Sequence, residues 1–317
     1  VAAFRERNLT VHREPFRFVG WEPEGQPAVT LSWMNQQPIV LPVSPMPYTG
    51  STPQGGITGT LVEAGVCELV PGLLEWPRFA VTDADGRWQS FIAVVPDGPT
   101  RSFPRPERQL LLEPIVIAGA DAFAPVAAAL AAGETVHVTM SSRGRYVAGL
   151  DSENIIADLP GTEPGVIVVS AHYDSVEDTP GAGDNASGVA GCLALAEHFV
   201  QHPTSKTLRF VCWGAHECGL LGSQYHLQER AQRRALHDVE AAIALDILSD
   251  GDRIGVWSGD VELTAELASV LTSVSERFPV EQYPRGRGET DTWSFTERGI
   301  DTVMVLTLPY THFHLPT

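Results

Sequence analysis

The stretch from Val166 to Gly188, VIVVSAHYDSVEDTPGAGDNASG, constrains this chain more than any other. It opens on β-branched and small apolar residues, Val166 to Ala171, the pattern of a strand buried on both faces. The run stops at His172-Tyr173-Asp174. On an extended backbone residues i and i+2 point to one side, so His172 and Asp174 face the same way. That suits a metal-ligating imidazole whose other nitrogen is held by a carboxylate. Taken alone, the two read more simply as a satisfied strand-end pair. A Pro/Gly-rich loop then leads to Asp184-Asn185-Ala186-Ser187-Gly188 and a helix-like run to Val200, which sets a further carboxylate beside them.

From Val147 onward strands and helices alternate. Strands are expected within Val147–Asp158, over Val166–Ala171, Thr207–Gly214, Ala241–Leu248, Arg253–Trp257 and Thr302–Leu308. Helices are expected over Ala186–Val200, Gly219–Arg230, Val261–Phe278 and Thr292–Arg298. Such alternation predicts an α/β fold, a mainly parallel or mixed sheet sandwiched by helices, with its site at the carboxyl ends of the strands. Ahead of it, the Pro/Gly/Ser-rich LPVSPMPYTGSTPQGG at Leu41–Gly56 marks a boundary. Short β-like runs follow, with one helix-like segment at Phe123–Ala132, so a smaller β-rich inserted domain is expected. The resulting division is 1–47 as the N-terminal part of the catalytic domain, 48–146 as the insert and 147–317 as the main catalytic part. Leu9–Trp21 reads as a strand pair.

Four strand ends carry a His or a carboxylate: His172, then Glu217 in Gly214-Ala215-His216-Glu217-Cys218-Gly219, then Asp246, then His314 in Thr311-His312-Phe313-His314-Leu315-Pro316. Asp184 adds one more. Such an oxygen-rich set with imidazoles suits two divalent ions sharing a bridging carboxylate, roughly 3.5–4 Å apart. Zinc fits the imidazole ligands best, with cobalt or manganese as alternatives. The excess of 39 acidic over 21 basic residues, a net charge of −18, argues against nucleic acid or an anionic membrane as partner. No apolar run approaches the roughly 20 residues that span a bilayer. Cys192 and Cys212 lie in apolar runs and are expected as buried thiols, which favours a cytoplasmic over a secreted setting. The chain starts at Val1 with no signal-like segment.

AHYDS, GAGDNASG, the strand followed by HECGLLGS, ALD and HLP, in this order, resemble the co-catalytic dizinc aminopeptidases, relatives of glutamate carboxypeptidase and glutaminyl cyclase. The resemblance runs from about Asn154 to the end. It implies a zinc metallopeptidase, an exopeptidase or amidohydrolase acting on a peptide or amide. His172 and Asp246 would bind one ion, Glu217 and His314 the other, with Asp184 bridging and Asp174 orienting His172. His312 is the fallback for His314. It further implies a cis Asp184–Asn185 peptide bond. Asp291 matches a family aspartate near the pocket, and is equally an N-cap of the next helix. The segment around 48–146, through TPQGGITGTLVEAG, resembles a protease-associated domain.

Two departures stand out. The family carries two consecutive glutamates before the Gly-Leu pair, the first a general base; here the base position holds His216. The family also continues into a final helix where this chain stops at Thr317, so the sequence is expected to be incomplete there. The favoured activity is aminopeptidase-type hydrolysis with His216 as proton carrier. The rivals are a catalytically impaired metal- or peptide-binding member, for which the lost glutamate speaks, and a glutaminyl-cyclase-like transferase, against which the full ligand set speaks.

Overall fold

The computed structural model describes residues 1–34, 36–70, 74–96, 112–177, 179–249, 251–283, 290–309 and 314. In chain order it begins with α1 (Ala2–Glu6) and β1 (Thr10–Pro23), one long strand where a strand pair was expected. Then come β2 (Ala28–Ser32), β3 (Ile39–Leu41), β4 (Val43–Pro45), β5 (Ile57–Val70), β6 (Leu74–Thr82), β7 (Trp88–Val95), β8 (Ile115–Gly119), α2 (Ala120–Ala131) and β9 (His137–Ser141). The remainder is β10 (Gly144–Leu159), β11 (Val166–His172), α3 (Ser187–Gln201), β12 (Thr207–Trp213), α4 (Leu221–Gln232), β13 (Val239–Leu245), β14 (Arg253–Trp257), α5 (Val261–Val274), β15 (Val280–Tyr283), α6 (Thr292–Thr296) and β16 (Asp301–Leu308).

Two compact units result, Val1–Phe18 with Gly149–Thr317, and Val19–Ala148. Residues 19–47, expected with the catalytic part, instead supply β2, β3 and β4 to the second unit's sheet, ordered β3-β2-β9-β5-β6-β7-β8-β4. The reason is edge pairing: β2 lies antiparallel to β9, from Ala28 opposite Ser141 to Ser32 opposite His137. Inward residues of this sheet, among them Val29, Leu61, Ile92, Val116 and Val138, close over Phe123 and Val126 of α2.

The first unit holds an eight-stranded mixed sheet, ordered β1-β10-β12-β11-β13-β16-β14-β15. β12, β11, β13 and β16 run parallel at its centre, while β10 and β14 pair antiparallel with β12 and β16. Alternation along the central strands explains the helices on both faces. Leu208, Phe210 and Cys212 of β12, with Val169 and Ala171 of β11, bury against Cys192 and Ala196 of α3. Their neighbours Val211, Trp213 and Val168 bury against Leu227 of α4 and Phe295 of α6. α5 ends at Val274, four residues before the expected Phe278, because Ser275 turns into the extended region. The parallel centre brings the carboxyl ends of β11, β12, β13 and β16 to one side of the sheet.

Candidate metal centre

β11 ends at His172, and its Nδ1–H donates to the backbone carbonyl of Asp174 at 3.0 Å. That bond places a proton on Nδ1 and turns Nε2 toward the carboxylates. Nε2 lies 2.9 Å from Asp184 Oδ1 and 3.5 Å from Asp246 Oδ1, aligned for a hydrogen bond with neither. The second Asp184 oxygen, Oδ2, lies 3.0 Å from His314 Nε2, which is 3.7 Å from Glu217 Oε1. Asp184 therefore stands between two groups, one of His172 and Asp246, the other of His314 and Glu217. All four of those side chains are buried.

Local folding places each of them. Asp184 enters through a cis peptide bond to Asn185, as the resemblance implies. Asn185 is clamped by its amide: Nδ2 donates to Leu245 O at 2.9 Å, and Oδ1 accepts from Gly188 N at 2.9 Å and Ile247 N at 3.3 Å. Gly188 admits this clamp, since a Cβ there would lie 2.3 Å from both Asn185 Oδ1 and Leu245 O. Asp246 follows the end of β13 and is tied to β16 by its N–H to Val305 O, 3.0 Å. Glu217 sits in the loop after β12, whose first turn is anchored by Asn154. Its Oδ1 accepts from Gly214 N at 3.2 Å, and its Nδ2 donates to Gly222 O at 2.9 Å.

Asp174 does something other than expected. Its Oδ1 is 3.8 Å from His172 Nδ1, beyond hydrogen-bond reach, because the strand ends at His172 and the turn presents the main-chain carbonyl instead. The carboxylate accepts from His216 N at 3.1 Å and from Glu217 N at 3.0 Å. Backbone strain gathers at the same strand ends: Ala215, Leu220, Ile247 and His314 have φ of 53°, 61°, 48° and 55°. Each such non-glycine position costs on the order of 1–3 kcal/mol and persists only where the surroundings enforce it. His312, Leu315 and Pro316 lie outside the described residues.

The charges call for a cation. Burial disfavours a charged His172, yet facing Asp246 and Asp184 hold its pKa well above the ordinary value. Burial opposes ionisation of Asp184 too, and close His172 and His314 hold it well below the usual carboxylate range. Glu217, buried and near Asp184, is pushed up to about 7. His172 Nε2, Glu217 Oε1 and Asp246 Oδ1 have no hydrogen-bond partner among the described residues. Ring nitrogens and carboxylate oxygens this close, buried and without hydrogen-bond partners, fit divalent ions, which would take the place of the proton. Ligand atoms of His172, Asp184 and Glu217 lie within 4.8 Å of one another, as do those of His172, His216 and Asp246.

His216 lies directly on this centre, its ring stacked on that of His172. Its Nδ1 is 2.9 Å from Asp291 Oδ2. Burial and His172 push the His216 pKa down, but Asp291 outweighs them and raises it to about 9. The α6 N-cap reading of Asp291 does not hold: the residue is in the helical region, φ −55° and ψ −24°, and makes no capping bond. Its match to a family aspartate near the pocket put Asp291 at the site, with no sign that His216 is its partner. Asn185 entered only through its motif and the peptide bond to Asp184, and nothing in the sequence marked the buried amide of Asn154 as a loop anchor.

Comparison with known proteins matches residues 154–316 to the family model "Peptidase family M28". Aminopeptidase YwaD of Bacillus subtilis (strain 168) is 44% identical over 75 residues, covering 23% of this chain and 16% of that protein. The matched stretch is thus well under two thirds of this relative's own length. Among solved structures, an aminopeptidase from Aneurinibacillus sp. strain AM-1 superposes with a TM-score of 0.67 at 22% identity, covering 100% of this chain and 80% of that one. BSAP, a zinc aminopeptidase from Bacillus subtilis, gives 0.62 at 20% identity, covering 99% and 80%. These likenesses establish the α/β fold.

Proposed function

The chain belongs to the M28 peptidase family, and from that premise we propose that it is a two-zinc aminopeptidase, releasing the amino-terminal residue of a peptide. The observation that carries this is the division of Asp184: Oδ1 toward His172, 2.9 Å, and Oδ2 toward His314, 3.0 Å. A carboxylate divided in this way is placed to bridge a pair of adjacent ions. His172, Asp246 and Asp184 Oδ1 would hold one ion, and Glu217, His314 and Asp184 Oδ2 the other. Zinc is the ion named for BSAP and suits imidazole with carboxylate, with cobalt or manganese able to replace it. When bound, the ions polarise the scissile carbonyl and acidify the attacking water.

His216 acts as the proton carrier. Two bound dications would disfavour the charged imidazole that Asp291 favours in the metal-free protein, and the neutral ring takes a proton from the attacking water on its free nitrogen as the O–C bond forms. It returns that proton to the amide nitrogen as the C–N bond breaks, so the leaving amine departs neutral. Asp174 holds the loop that carries both His216 and Glu217 by accepting their two main-chain N–H groups.

The test is a screen of free-amine, N-acylated and C-terminally blocked dipeptides with zinc, cobalt and manganese, alongside metal analysis. Hydrolysis of free-amine dipeptides with two equivalents of metal is expected. No turnover of any of them, or equal turnover of the N-acylated dipeptides, would overturn the assignment.

A further inference from the structure

Resting on His216 as the proton carrier, we propose that Asp291 is the positioning residue that sets the tautomer and direction of this imidazole. Asp291 is 2% exposed, and its Oδ1 has no hydrogen-bond partner among the described residues. A buried carboxylate is costly unless paired, and two oxygens with one side-chain partner is a poor structural bargain. Its position at the start of α6 offers the common alternative use, capping, and the carboxylate does not take it. What Asp291 does hold is His216 Nδ1, at 2.9 Å. In the neutral ring a carboxylate acceptor places the proton on Nδ1 and leaves the lone pair on Nε2. The ring plane is fixed separately by the stack on His172, with centroids 3.7 Å apart and 4° between planes. Plane and one in-plane bond together determine where Nε2 points, and Nε2 takes no hydrogen bond among the described residues.

Asp291 and the imidazole thus form a unit that the glutamate usual at this position would not need, since a carboxylate has no tautomer to set. A glutamate facing Asp291 would instead meet a like charge.

Two measurements test this on the full-length, zinc-loaded protein. Nitrogen-15 imidazole spectra of the wild type, followed through the His216 titration to the pH at which the ring is neutral, should show the remaining proton on Nδ1; Asp291→Asn, which offers an amide N–H in place of one oxygen, should invert the tautomer. In turnover of leucyl p-nitroanilide, Asp291→Asn should lower kcat on the order of 10²–10⁴-fold, the effect of neutralising an imidazole's orienting carboxylate, with metal content and KM nearly unchanged. In a His216→Ala background the same substitution should change kcat less than about twofold, since a residue acting through another is non-additive with it. An Nε2-protonated His216 in the wild type, or an equal loss in both backgrounds, overturns the proposal. Unaltered kcat in His216→Ala overturns the proton-carrier assignment; the spectra then decide the pairing alone, inversion supporting it and its absence overturning it.

Discussion

The imidazoles of His172 and His216 lie face to face, 3.7 Å between centroids and 4° from parallel. A nitrogen lone pair lies in its ring plane, and two parallel planes share no point. One ion therefore cannot sit in line with both rings, although their nitrogens are close enough for it. His172 faces the carboxylates, and His216 is left to another task. Stacking also restrains the His216 ring without occupying either of its nitrogens.

Removal of that ring should separate catalysis from metal binding. His216→Ala is expected to lower kcat by roughly 10²–10⁴-fold, the usual worth of a positioned acid–base group, with two equivalents of metal retained. Elemental analysis and turnover on one preparation check both halves. Turnover equal to wild type removes His216 from the reaction.

The shared carboxylate and the unshared ones should behave differently. Asp184→Ala is expected to lose both ions, and Glu217→Ala to weaken one while the other stays. Metal titrations of the two variants decide this. A fully loaded wild type holding at most one equivalent would rule out the two-ion centre.

Without metal, Glu217 should make stability fall with pH. Its folded pKa of about 7 lies above the ordinary glutamate value of 4.5. Between those limits the native state binds more protons than the unfolded one, so the stabilisation is complete below pH 4.5 and lost as pH rises to about 7. Melting temperatures of EDTA-treated protein should decline across that window, and the decline should be shallower in Glu217→Gln. Added zinc should reverse the trend, because the ligands bind metal in their deprotonated forms. Parallel curves for wild type and Glu217→Gln contradict the assignment.

The amide clamp on the Asp184 loop gives a prediction away from the ligands. Asn185→Ala leaves the N–H of Gly188 and the carbonyl of Leu245 without their side-chain partner inside a buried site. Each such loss costs about 1–3 kcal/mol. Zinc affinity should therefore fall at least tenfold although no ligand has changed. Gly188→Ala should do the same through the 2.3 Å clash of its Cβ with Asn185 Oδ1 and Leu245 O. Isothermal titration with zinc measures both, and unchanged affinity in the two variants would refute the clamp's role.

Much of the catalytic sheet was legible because buried parallel strands announce themselves. Val166–Ala171 and Thr207–Trp213 are continuous apolar runs, each followed by the residues that strand ends present. His172, Asp184, Glu217, Asp246 and His314 come together for that reason. What could not be read depended on pairing between distant segments. Residues 19–47 carry no mark of which sheet they join; the β2 register with β9, more than a hundred residues on, decides it. The Asp291 partner was equally hidden, 75 residues from His216, in a place where local rules favour a cap. Asp174 was misassigned by the i, i+2 rule, which applies only while the backbone stays extended.

The grip of Asp174 on the loop bears on how such a site can diverge. Its carboxylate takes hold of the main-chain N–H groups of residues 216 and 217 and of neither side chain. The loop's course is thereby independent of which side chain position 216 bears. Exchange of one acid–base group for another there leaves Glu217 in place, so a lineage can try new proton chemistry at 216 while its metal centre stays intact.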